Sequence, residues 1–207
     1  MRVLCDLDGV IYDWVRTYLR LYREWSGEGL PAGFRYQWHF MDQLPNAKVR
    51  AAVESSHVLW TEGDACPGSI EGLRALYSTH DTYIATHPGS RPDIAVPGKV
   101  QWLTRNAPWF DLDRLICIKH KHMLRGDVLI EDRLRNLVSW KTVNPQGIAL
   151  LMVRPWNVAE SWFLERSSGI GTVFDLVDAA RFLDDLETHG VHQMVNRAIA
   201  QYPACQG

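Results

Sequence analysis

Val3-Leu4-Cys5-Asp6-Leu7-Asp8-Gly9-Val10 opens the chain with an apolar run that ends in two carboxylates and a glycine. Val3 to Leu7 has the length and apolarity of a buried strand. In open α/β sheets, ligands bind in the crevice at the carboxyl ends of the strands, which is where Asp6 and Asp8 fall. A turn helped by Gly9 lets both carboxylates converge on one cation. Such a cluster repels a phosphate unless a divalent ion lies between them. Mg2+, a hard ion that takes a few carboxylates, waters and a phosphate oxygen, suits that role. A D-x-D-G string arises by chance in about one chain in twenty of this length. Its place at the end of an N-terminal apolar strand makes it informative.

Two more strand ends support this reading. Thr82 to Thr86 reads as a strand that ends in a hydroxyl, followed by His87-Pro88-Gly89-Ser90-Arg91. A hydroxyl and free N–H groups at a strand-to-helix turn can hold a phosphate. Asp127-Val128-Leu129-Ile130 reads as a strand running into Glu131-Asp132, acids that can complete a metal site. Just upstream lies Lys119-His120-Lys121-His122, where an ammonium can neutralise phosphate charge.

Elsewhere, residues three or four apart from Ile11 to Trp25 mark an amphipathic helix, and Gly27, Gly29, Pro31 and Gly33 a loop. The segment 34–45 is aromatic and lacks a period. Val49 to Trp60 fits a helical face, and Pro67-Gly68 starts another helix with Ile70, Leu73, Leu76 and Tyr77 inward. Further on come a short helix at Val100–Leu103, strands at Leu115–Ile118 and Ile148–Val153, and a late helix from Phe174 to Leu186. The expected fold is α/β: a Rossmann-like parallel sheet with helices on both faces. Residues 1–13 and 67–207 would form the core, and 14–66 a helical cap inserted after the first strand.

Composition sets the limits. The chain has 207 residues, with 22 Lys plus Arg against 24 Asp plus Glu, for a net charge of −2. That balance gives no basis for a stable nucleic-acid partner. No apolar stretch approaches the roughly 20 residues of a membrane helix, and no signal-peptide core is seen. Cys5, Cys66, Cys117 and Cys205 form no C-x-x-C pair. A cytoplasmic protein with reduced thiols is expected.

The order D-x-D-G, strand-Thr, Lys, strand-acid-acid resembles the haloacid dehalogenase-like phosphohydrolases. Within them the chain is most similar to the 5′(3′)-deoxyribonucleotidases, over roughly residues 2 to 156. Cys5 to Val10, Pro67-Gly68, and Asp127 to Arg133 carry the likeness. The resemblance implies a Mg2+-dependent phosphatase acting on a nucleoside monophosphate, a small phosphorylated substrate. Asp6 would be the nucleophile and a metal ligand. Asp8 would be the general acid and base, giving its backbone carbonyl to the metal. Thr86 would bind the phosphoryl group, Lys121 would neutralise it, Asp132 would bind Mg2+ and Glu131 would support the site. It also implies a homodimer. Lys119 competes for the lysine role and stands where these relatives carry an arginine near the substrate. His87, in Thr86-His87-Pro88, replaces a small serine, and Glu131 replaces an aspartate. Trp38 and Trp60 are candidates to cover a base. The rival substrates are a sugar phosphate or the 3′-phosphate of a nucleic-acid end; the rival class is a non-catalytic nucleotide-binding protein.

Overall fold

Alternate residues of β1 (Arg2–Cys5) go to different apolar layers: Val3 and Cys5 to one, Leu4 to the other. The computed structural model describes residues 1–162, 164 and 169–189, and the same alternation recurs along the sheet. Val128 and Ile130 pack with Val3, and Leu129 packs with Leu4. Strands buried on both faces read as unbroken apolar runs, as these do.

After β1 come α1 (Trp14–Ser26), α2 (Ala47–Glu54) and α3 (Val58–Thr61), with a short 3₁₀ turn at Phe40–Gln43. Asp13 caps α1, its Oδ1 accepting the Arg16 N–H at 3.2 Å. These elements close their own apolar cluster around Tyr18, Tyr22, Phe40, Val53 and Leu59. Ala95 joins the same cluster.

The chain then runs through α4 (Ser69–Thr79), β2 (Asp81–Thr86), α5 (Pro92–Asn106), β3 (Leu115–Cys117) and a 3₁₀ turn at Lys121–Met123. It continues with β4 (Val128–Glu131), α6 (Leu134–Val143), β5 (Ile148–Met152), α7 (Val158–Trp162), β6 (Ile170–Val173) and α8 (Leu176–His189). All strands are parallel, in the order β3-β2-β1-β4-β5-β6. The order reverses beside β1, and that switch point opens a crevice at the strand ends. α4 packs with α8 on one face, and α6 covers β4 and β5 on the other. This is the Rossmann-like arrangement expected.

Several local expectations change. The sheet has a sixth strand, β6, whose β-pattern is diluted by Gly171 within it and Gly169 just before it. The short helix at Val100–Leu103 is part of the 15-residue α5, whose interior Pro97 and Gly98 break the apolar period. α6 was not anticipated from sequence, although Leu137 and Trp140 anchor it. The Val49–Trp60 face is two helices, α2 and α3. The late helix starts at Leu176, and Phe174 is exposed. Cys205 lies outside the described residues; Cys5, Cys66 and Cys117 are free thiols. Among the described residues no helix is long and apolar enough to cross a membrane.

Candidate active site

The crevice beside β1 gathers four carboxylates and two buried lysines. Asp6 leaves the end of β1, and Glu131 and Asp132 leave the end of β4, so three acids from adjacent strands meet. One carboxylate oxygen from each lies within 4.8 Å of the others. All three are buried. Lys121 Nζ bridges two of them, 2.7 Å from Asp6 Oδ1 and 2.5 Å from Glu131 Oε2. Asp6 Oδ1 also accepts the Leu7 N–H at 2.7 Å. The Arg133 N–H donates to Glu131 Oε1 at 3.2 Å.

The second half of the site is built on Lys99, a residue the sequence reading missed. Lys99 sits in α5 and is 1% exposed. Its Nζ donates to Asp8 Oδ2 at 2.5 Å, to Thr86 Oγ1 at 2.8 Å and to the His87 carbonyl at 2.6 Å. It also lies 5.1 Å from the centre of the Trp60 ring, a cation–π contact. The ammonium therefore has all three donors used by named groups. Gly98 lets this happen: a β-carbon there would stand 2.5 Å from Trp60 Cβ.

Burial sets the electrostatics. It pushes the Asp8 carboxyl up, with Lys99 opposing and Asp6 adding to the rise. Glu131 is pushed up to about 7 by burial and by Asp6, against the pull of Lys121. Asp132 is raised by burial, then by Glu131 and Asp6. For Lys121 burial works downward, but Asp6 and Glu131 outweigh it and hold the ammonium charged. Burial and Lys99 lower His87, whose Nδ1 accepts the Gly89 N–H at 2.9 Å.

Three clustered acids with one lysine leave excess negative charge in a low-dielectric site. That set of hard oxygen donors fits Mg2+. Asp6 and Asp132 would hold it, with Glu131 beside them. Asp8 Oδ2 is engaged by Lys99, and the backbone carbonyl of Asp8 is the metal group that the family resemblance implies.

Above the acids opens a cavity of about 710 Å³. Asp6, Asp8, His87, Lys119, Lys121, Glu131 and Asp132 line it. Trp14, Trp38, Phe40, Leu59, Trp60 and Trp156 also line it. A larger groove of about 1070 Å³ lies behind α1 and contains none of the clustered acids, so it is not where this chemistry is assembled.

A family model described as 5′ nucleotidase, deoxy (pyrimidine), cytosolic type C protein matches residues 1–183. The chain belongs to that family. The match runs past residue 156, where the likeness seen in the sequence stopped. The chain is 26% identical over 97 residues to a 5′(3′)-deoxyribonucleotidase of Bacillus subtilis, 47% of this chain and 53% of that protein. It thus spans about half the length of that relative. It is 26% identical over 143 residues to the cytosolic-type 5′(3′)-deoxyribonucleotidase of Homo sapiens, covering 64% of this chain and 71% of that protein. A haloacid dehalogenase-like hydrolase from Xanthomonas campestris has the same fold, with TM-score 0.55 at 15% identity over 93% of this chain and 94% of that one.

Within this family member the structure brings Asp6, Asp8, Thr86, Lys121, Glu131 and Asp132 together. His87, Lys119, Trp38 and Trp60 all line the cavity. Both tryptophans are engaged already: Trp60 rests over Lys99, and Trp38 Nε1 donates to Glu160 Oε1 at 3.2 Å. The sequence reading also missed Trp156 and Asn157, which follow β5. Trp156 Nε1 donates to Asp132 Oδ2 at 2.9 Å, and Asn157 Nδ2 donates to the Asp132 carbonyl at 2.6 Å. The signal for Lys99 was faint: a lysine thirteen positions after a strand-end threonine, beside Pro97-Gly98.

Proposed function

We propose that this protein is a Mg2+-dependent phosphatase that hydrolyses a deoxyribonucleoside monophosphate through an aspartyl-phosphate on Asp6. The observation that carries it is the pairing of Asp6 and Asp8 with separate buried lysines. That pairing gives two neighbouring carboxylates different work. Lys121 and the Leu7 N–H both take Asp6 Oδ1, so Oδ2 is the oxygen left for attack on phosphorus. As that P–O bond forms, the ester P–O bond breaks and the leaving alkoxide takes a proton from Asp8. Burial keeps Asp8 protonated more readily than an ordinary carboxyl, which suits a general acid. Asp8, now ionised, then takes a proton from the water that cleaves phospho-Asp6, returning both carboxylates to their starting states. Lys99 holds Asp8 in place throughout, and Thr86 Oγ1, which accepts from Lys99, has its own proton free for a phosphoryl oxygen. When bound, Mg2+ supplies charge neutralisation for the phosphoryl oxygens.

The aromatic cap wall supports a nucleobase over a bare sugar phosphate, since a sugar would call for polar residues there. The names of the Bacillus and human relatives support a deoxyribonucleotide, and the latter's cytosolic type supports a cytoplasmic enzyme. Phosphate release, with and without Mg2+, across 5′- and 3′-deoxy- and ribonucleoside monophosphates and sugar phosphates tests the reading. Turnover confined to sugar phosphates would keep the chemistry and discard the nucleotide. No turnover by folded, Mg2+-loaded protein would leave a binding protein. Light scattering of the purified protein tests the homodimer.

A further inference from the structure

We infer that Trp156 is a positioning residue that presents Asp132 to the divalent ion, and that Trp38 ties the seating of the cap to it. The inference rests on the phosphatase reading only in taking the acid cluster as a divalent-ion site. Rotation of an aspartate about its Cβ–Cγ bond exchanges its two carboxylate oxygens. The Trp156 indole stops that rotation by holding Asp132 Oδ2 at 2.9 Å. The other oxygen is then the one offered to the ion. The main chain is fixed as well. Asn157, fully buried, donates to the Asp132 carbonyl at 2.6 Å and to the Met152 carbonyl at 2.9 Å. Gly9 closes the third side: a β-carbon there would come within 2.1 Å of Asp132 Oδ2 and 3.1 Å of Trp156 Cζ2. An indole N–H is a neutral donor, so it orients the carboxylate without competing for the ion as a lysine would.

Trp156 is in turn braced from the cap. The Trp38 ring meets it edge-on, with centroids 6.4 Å apart and planes at 70°. Trp38 lies in an irregular segment just before the 3₁₀ turn, so its side-chain contacts with Trp156, Arg133 and Glu160 place it rather than a helix. Arg133, the residue after Asp132, lies over the Trp38 ring at 5.1 Å, and Glu160 of α7 accepts its N–H. Both Trp38 and Trp156 line the cavity, so a cap that lifts withdraws Trp38 from the residue that holds Asp132.

The test measures Mg2+ binding to the substrate-free protein by calorimetry at pH 7.5. Trp156→Phe should weaken the Mg2+ Kd about tenfold, the scale seen when a group that orients a metal ligand is lost. Trp38→Ala should weaken it by a smaller factor, and Trp38→Phe, which keeps the ring edge against Trp156, should restore the wild-type value. A Trp156→Phe protein of unchanged Tm that binds Mg2+ within twofold of wild type would make Trp156 a packing residue and overturn the inference. Should that variant fail to fold, the indole N–H spectrum of ¹⁵N-labelled wild type decides. One resonance moving in step with Mg2+ occupancy supports the role, and none moving overturns it. No nucleotide enters these measurements, so the positioning role and the nucleotidase reading stand or fall separately.

Discussion

The Asp6 side of the site, proposed to hold the nucleophile, and the Asp8 side, proposed to hold the acid–base group, solve opposite charge problems. On the first, one ammonium serves two carboxylates, Asp6 and Glu131, with Asp132 close by and no lysine of its own. On the second, one ammonium serves Asp8 alone among the acids, and its other donors go to Thr86 and a carbonyl. Negative charge is in excess where a divalent ion is expected and balanced where the proposed mechanism exchanges a proton. Two identical side chains two residues apart thus acquire different chemistry from the elements behind them: the Lys121 turn after β3, and the interior of α5.

The strongest way to break this contrast is Asp6→Asn. Phosphate release should fall at least about 10³-fold, as expected for loss of a nucleophile, with the Tm unchanged or raised because one crowded acid has gone. Residual turnover near wild type would move the nucleophile elsewhere. Next is Lys99→Met, which should lower kcat about 10²-fold or more, the scale of general acid–base catalysis. Because Lys99 holds the Asp8 carboxyl down, its loss should also move the alkaline limb of the kcat–pH profile upward. A drop in kcat with a stationary limb would make Lys99 purely structural.

The third prediction sharpens the charge argument. Asp8, Glu131 and Asp132 are all raised in the folded protein, Glu131 to about 7 from its ordinary 4.5. Raised acids favour the folded state below their unfolded values and lose that advantage as pH rises through the folded ones. The metal-free protein should therefore lose stability between about pH 4.5 and 7. Mg2+ at a hundred times its Kd should raise the Tm by about 5 °C or more at pH 7.5, and by less at pH 5.5. Equal rises at both pH values would show that the acids are not in electrostatic conflict. The smallest effect is expected from His87→Ser. His87 is held below its ordinary value, so its contribution is present above about pH 6.5 and is lost as pH falls. The variant should lose less Tm between pH 7 and pH 5 than wild type does, as differential scanning calorimetry would show.

Much of the nucleophile side was legible from sequence, because its residues sit at the ends of apolar strands. Asp6, Glu131 and Asp132 each follow such a run directly, and Lys121 falls at the spacing of the lysine in the family it resembles. The acid–base side was half hidden. Asp8 and Thr86 were visible, but Lys99 follows Pro97-Gly98 inside a helix, where the string reads as a break in structure. Its role depends on α5 passing beside β2 and on Trp60 packing over Gly98, contacts across long sequence separations. Trp156 and Asn157 were hidden for the same reason: they follow a strand that carries no acid of its own. The sheet itself was read from its apolar runs except for β6, where two glycines and an exposed edge remove the pattern.

The crowding of indoles around the crevice has an optical consequence. Trp14, Trp38, Trp60 and Trp156, four of the nine tryptophans in the chain, line the cavity above the acids. A share of the protein's ultraviolet emission therefore comes from the place where a ligand arrives. A base sliding between those rings would dim it without any attached dye, so each molecule carries its own lamp at the door.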